Sequence, residues 1–148
     1  FSTMADKADN TFSSFLWKSR VLVLTGEKSN EYFKDQLDAL QKNTKGLNDR
    51  EMVIISVNEN EVKFLEELSL FPPDAPNYDS FMPTEKDIQY FEKYFDQSIS
   101  EFSVLLIGKD GGVKKVWNEV EKLPVEVQEI FEIIDSMPMR QQERRDKN

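Results

Sequence analysis

Two apolar runs separated by Lys109, Asp110, Gly111 and Gly112 constrain this chain more than any other feature. Residues 102–107 read FSVLLI and residues 113–117 read VKKVW. An Asp-Gly pair between such runs is a strong hairpin signal, because the central turn residues must adopt a left-handed backbone. The two runs read as the strands of that hairpin. A lone hairpin is barely stable in water, so further strands must join it. Residues 21–24 (VLVL), short and apolar on both faces as in a strand buried inside a sheet, and 52–57 (MVIISV) supply two. Between them Phe33, Leu37 and Leu40 recur at i, i+4 and i+7, which predicts a helix through about residue 43. Ser29 or Asn30 is placed to cap it. Gly46 stands where its C-terminal stop is expected. Asn48, Asp49 and Arg50 read as a turn. A strand, helix, strand sequence of this length is normally a right-handed parallel unit.

The remaining segments complete the order. Residues 1–11 read as a flexible lead-in, and Phe12, Phe15, Leu16 and Trp17 as an apolar entry turn or short helix. Val62, Phe64, Leu65 and Leu68 predict a short helix. Prolines 72, 73, 76 and 83 mark an extended loop. Thr84 resembles an N-cap, with Asp87 three residues on, before a helix that uses Ile88, Phe91 and Phe95 and is flanked by Tyr90 and Tyr94. Pro124 suits the first turn of a last helix, striped by Val127, Ile130, Phe131 and Ile134. Pro138 is expected to stop it, leaving residues 144–148 as a basic tail. The whole reads as one α/β domain over residues 12–143. The order, βαβ and then ββα, is that of a thioredoxin-like fold with a central four-stranded mixed sheet and helices on both faces.

Composition excludes several kinds of chemistry. The chain has 148 residues with no Cys and no His. Disulfides, thiolate catalysis and thiolate metal sites are therefore absent, together with the commonest general base. The net charge of −9 disfavours nucleic acid and anionic lipid. No run approaches the roughly 20 apolar residues of a membrane span. The chain starts at Phe1, which suggests a processed form or an excised domain.

The phrases FLWKSRVLVLTG, FSVLLIGKDGGVKKVW and IFEIIDSMPMRQQE carry a family resemblance. The chain resembles, from about Phe12 to about Glu143, the peroxiredoxin-like domain of unknown function. That domain is found in equarin-type secreted matrix proteins, sushi-repeat-containing extracellular proteins and small bacterial proteins. LLIGKDGGVK and IDSMPMRQQE are the most specific pieces, since fold requirements alone demand neither. The resemblance implies a thioredoxin-like fold and a secreted, matrix-associated setting, with no defined reaction or ligand.

On such a scaffold the redox site would follow the first strand, at Thr25, Gly26, Glu27, Lys28 and Ser29. These residues offer hydroxyls that stay protonated near neutrality, with no imidazole to activate them, so the loop reads as vestigial. The usual cis-proline position falls near Ser103 and holds no proline. Lys109 to Gly112 lacks the pattern of a phosphate or EF-hand loop. No catalytic residue, metal ligand or cofactor is expected.

Candidate partner-binding residues are Phe71, Tyr78, Phe81 and Met82 in the proline loop, unless these fold back over the core, and Arg140, Arg144 and Arg145 near the end. Together with Lys147 these basic residues suit an acidic partner or a sulfated glycan, and the guanidinium of Arg140 is expected to dock on the domain itself. The reading is a non-catalytic extracellular interaction or structural domain, with a matrix protein or a second copy as partner. Two alternatives stand beside it. One is a non-thiol enzyme using Thr25, Glu27 and Lys28. The other is an acidic structural protein of a fibrous or mineralised matrix, binding Ca²⁺ weakly through carboxylates at Glu59, Glu61, Glu66, Glu67, Glu119, Glu121, Glu126, Glu129 and Glu132.

Overall fold

A computed structural model describes residues 15–73, 82–93, 99–118 and 123–147. The lead-in, Phe12, Tyr78, Phe81, Tyr94, Phe95, Glu119 and Glu121 lie outside the described residues. Among the described residues five strands form one mixed sheet in the order β3-β2-β1-β4-β5. They are β1 (Arg20–Thr25), β2 (Met52–Val57), β3 (Val62–Phe64), β4 (Ser103–Ile107) and β5 (Val113–Trp117). The helices are α1 (Glu31–Gln41), α2 (Thr44–Asp49), α3 (Glu85–Glu92), α4 (Val127–Asp135) and α5 (Pro138–Lys147).

β1 and β2 run parallel with Val21 opposite Val53, while β4 runs antiparallel to β1 with Leu22 opposite Leu106. Every residue of β1, β2 and β4 is buried, as expected of strands covered on both faces. The pleat sorts their side chains into two cores. Leu22, Leu24, Ile54, Val104 and Leu106 face α1, α2 and α4; Val21, Val23, Val53, Ile55 and Leu105 face Phe15, Ile99 and α3. The hairpin closes where its sequence requires, with Gly111 at φ +81° and the Gly108 N–H donating to the Gly112 carbonyl at 2.9 Å. A bulge between Leu106 and Ile107 absorbs the extra residue on β5.

Several local expectations are corrected. The sheet has five strands rather than four, because Val62 and Phe64 point inward and Lys63 outward. That is a period of two, so the segment pairs with β2 instead of forming a helix. Asn58 makes the turn possible: its side-chain oxygen accepts from the Asn60 and Glu61 N–H groups at 2.8 and 2.9 Å. Leu68 falls in a single 3-10 turn, Glu66–Leu68. Gly46 is not a helix stop but lies inside α2, where a Cβ would come within 2.7 Å of the Phe131 ring. Pro124 precedes α4, which starts at Val127. Pro138 begins a helix rather than ending the chain's helical part, since proline at a first turn lacks only an N–H that has no intrahelical partner. Residues 144–147 are therefore the last turn of α5.

Other local readings appear as drawn. Asn30 caps α1, its side chain accepting from the Tyr32 N–H at 2.8 Å. Thr84 and Asp87 form a reciprocal capping box at the start of α3, each backbone N–H bonded to the other's side chain at 3.1 Å.

Candidate functional site

The loop after β1 contains no reactive arrangement. Thr25 is fully buried and its hydroxyl donates to the Glu101 carbonyl at 2.8 Å. Gly26 follows at φ +106°, and its N–H donates to the Val57 carbonyl at 3.1 Å. A Cβ there would sit 3.1 Å from the backbone of Glu101 and Phe102, so the segment entering β4 packs directly on the loop. Glu27, Lys28 and Ser29 are exposed. The Lys28 ammonium pairs with Glu61 at 2.8 Å, half in solvent. Thr25, Glu27 and Lys28 thus do not converge on a common point, and among the described residues no base reaches the Thr25 hydroxyl.

The concentrated chemistry lies at the other end of β1. A rise of about 3.3 Å per residue places Arg20 roughly 16 Å from Thr25. Arg20, only 1% exposed, makes a two-point contact with Glu143 of α5 at 3.2 and 3.1 Å and donates to the Arg50 carbonyl at 2.9 Å. The buried Lys109 ammonium, from the hairpin turn, reaches Glu143 at 2.7 Å and Glu51 at 3.3 Å. One carboxylate of α5 is therefore clamped by two cations from the strand ends.

A second cluster shares α5. Arg50 grips Asp135 at both oxygens, at 3.1 and 2.9 Å, with its guanidinium carbon 3.9 Å from the Phe131 ring centroid. Arg140, 3% exposed, bridges Asp135 at 3.1 Å and Asp49 at 2.7 Å. Lys147 reaches the other Asp49 oxygen at 3.0 Å. The hydrogen bonds from Arg140 and then Lys147 pull the Asp49 carboxyl down to about 2. Burial pushes the Asp135 carboxyl up, but the bonds from Arg50 and Arg140 outweigh it and leave the pKa below its ordinary value. Glu143 behaves alike: burial raises it, Arg20 and Lys109 lower it, and the cations win. Arg140 is the mirror case, with burial opposed and outweighed by its two aspartates.

Arg140 therefore docks on the domain, as its guanidinium suggested. Together with Arg144 it lines an open cleft of about 350 Å³, whose other walls are Asp49, Arg50, Asp135 and Lys147. Arg145 is exposed, does not line the cleft and donates to Gln142 at 2.7 Å. Phe71 is half-buried, edge-on to Phe64 with ring centroids 6.1 Å apart. Met82 is 71% exposed. Neither Phe71 nor Met82 lines the cleft. Sequence reasoning missed Arg20, Asp49, Arg50, Asp135 and Glu143 as a unit. The one available signal was Arg140, Arg144 and Lys147 at i, i+4 and i+7 on one helix face. Among the described residues no three carboxylates come together in a way that could hold a metal ion. No helix among them is long and apolar enough to cross a membrane.

A family model described as "Domain of unknown function (DUF4174)" matches residues 11–143. Coiled-coil domain-containing protein 80 of Danio rerio is 28% identical over 143 residues, covering 91% of this chain and 16% of its own length. The chain thus spans about a sixth of that relative. The crystal structure of reduced Plasmodium vivax 2-Cys peroxiredoxin superposes with a TM-score of 0.55 at 18% identity, covering 88% of this chain and 83% of the other. That likeness is one of fold, and the fold is thioredoxin-like. With no cysteine, this chain cannot perform peroxiredoxin-type catalysis.

Proposed function

We propose that this chain, which belongs to the DUF4174 family, is a non-catalytic interaction or structural domain that keeps a thioredoxin-like scaffold for its shape. The carrying observation is Thr25. At the place where the scaffold's thiol chemistry would occur, the hydroxyl is buried and already bonded to the Glu101 carbonyl. Its neighbours Glu27, Lys28 and Ser29 are exposed, and Lys28 is paired with Glu61. The extracellular, matrix-associated setting rests on the resemblance carried by LLIGKDGGVK and IDSMPMRQQE. The partner in this reading is an extracellular protein or a second copy of the chain.

Two measurements test the reading together. Purified chain is assayed with peroxide and with disulfide substrates, and no turnover above buffer is expected. The immobilised chain is then loaded with extracellular matrix extract, and saturable retention of a protein is expected. Turnover that follows the protein through purification would overturn the non-catalytic half, and its loss in a Thr25→Val variant would place it at the loop after β1. Failure to retain any protein would overturn the interaction half.

A further inference from the structure

We propose that the cleft formed by the end of α2, the end of α4 and α5 binds a phosphate-type oxyanion. Arg144 and Lys147 are its exposed donors, on a base preset by the guanidiniums of Arg50 and Arg140. The lining holds four cations against two carboxylates, in a chain whose net charge is −9. This local excess runs against the character of the whole molecule.

The carboxylates are already occupied. Asp135 accepts from Arg50 and Arg140, and Asp49 accepts from Arg140 and Lys147. The donors are not exhausted. A guanidinium carries five N–H groups and an ammonium three. Arg140 uses three of its N–H groups, on Asp135, the Asp49 side chain and the Asp49 carbonyl. Arg50 also uses three, two on Asp135 and one on the Gly46 carbonyl. Arg144 is exposed and pairs with no carboxylate among the described residues. The cleft is thus rich in donors and poor in free acceptors, which suits a ligand made of acceptor oxygens.

The geometry is also prepared in advance. Two-point pairing with Asp135 holds Arg50, and burial holds Arg140, so binding must order only Arg144 and Lys147. Arg140, Arg144 and Lys147 fall on one stripe of α5, at i, i+4 and i+7. A volume of about 350 Å³ admits a phosphoryl group with part of whatever carries it. Repulsion from the distant acidic surface is damped beyond about 8 Å at physiological salt. The oxyanion has two possible sources, free inorganic phosphate or a phosphorylated side chain on a partner, and both have the same recognised chemistry.

The test uses the full chain. Its ¹H–¹⁵N spectrum is followed while sodium phosphate replaces sodium chloride at constant ionic strength. Saturable shifts confined to Asp49, Arg50, Asp135, Arg140, Arg144 and Lys147 are expected, with millimolar or tighter binding. Arg144→Ala is expected to weaken binding about fivefold or more. Arg145→Ala, at a residue that does not line the cleft, is expected to leave it unchanged. A phosphoserine peptide binding about tenfold tighter than phosphate would identify a modified partner as the source. Equal affinity would identify free phosphate. Shifts that never saturate, that chloride reproduces, or that persist undiminished in Arg144→Ala would overturn the proposal.

Discussion

Gln36 is a polar residue on the buried face of α1, with its side chain fully enclosed. Its amide donates to the Val125 carbonyl at 3.0 Å and accepts from the Val125 N–H at 2.7 Å, as a neighbouring strand would. Leu37, which periodicity put on the inner stripe, is only partly buried, and Gln36 holds the inner position. Gln36→Ala strands both backbone groups of Val125 away from water. The expected cost is about 2–3 kcal/mol, read as a lower urea midpoint with unchanged slope. Gly26 is constrained differently, by its left-handed backbone and by Glu101 and Phe102 at 3.1 Å. Gly26→Ala is expected to cost about 1–3 kcal/mol in the same measurement. A loss near zero would mean that the loop after β1 is not closed onto β4.

At the scale of elements, α5 is unusual in what holds it. Its one buried residue is Arg140, and its long-range side-chain bonds run from Arg140, Glu143 and Lys147 to opposite charges and, from Arg140, to the Asp49 carbonyl. Removing one partner leaves cations uncompensated in a poorly hydrated place. Glu143→Gln is therefore expected to cost about 3 kcal/mol, while Arg20→Met with Glu143→Leu recovers part of that loss. The sign of the pH dependence follows from depressed carboxylates. Asp49, Asp135 and Glu143 all titrate lower when folded, so their stabilisation is present above the unfolded values of 3.8 and 4.5. It disappears as pH falls through the folded values, about 2 for Asp49. Urea midpoints are thus expected to stay level down to about pH 5 and then fall towards pH 2. Protection against amide exchange, relative to the intrinsic rate at each pH, should be lost in residues 138–147 over that window before it is lost in β1. Equal loss in both elements would show that α5 does not detach separately.

At the scale of the whole molecule, the described residues form two cores that share one sheet. Leu22 and Val23 are adjacent in sequence yet belong to opposite cores. Neither core can lose its order without exposing the strands of the other, so unfolding is expected to be a single cooperative transition. The two tryptophans provide the check. Trp117 is 1% exposed, with its indole N–H donating to Glu129 at 2.7 Å, whereas Trp17 is 62% exposed. Fluorescence of a Trp17→Phe variant should shift to the red at the same urea concentration at which far-UV circular dichroism collapses. Separate midpoints would indicate that one face melts before the other.

Local signals were readable without coordinates because they depend on near neighbours. The turn at Lys109 to Gly112, the cap at Asn30, the Thr84–Asp87 box and the continuous apolar run that buries β1 on both faces each reside within a few residues. The missing thiol was equally plain, since no tertiary contact can create one. β3 escaped because three residues are too few to distinguish a period of two from one of 3.6. Pro138 misled because proline ends one helix and begins another by the same loss of an N–H. What only the tertiary structure decided is which charges meet. Arg20 and Glu143 stand 123 positions apart, and Arg50 and Asp135 stand 85 apart. Charge attraction depends on distance and burial, and neither is written into the spacing of residues along a chain.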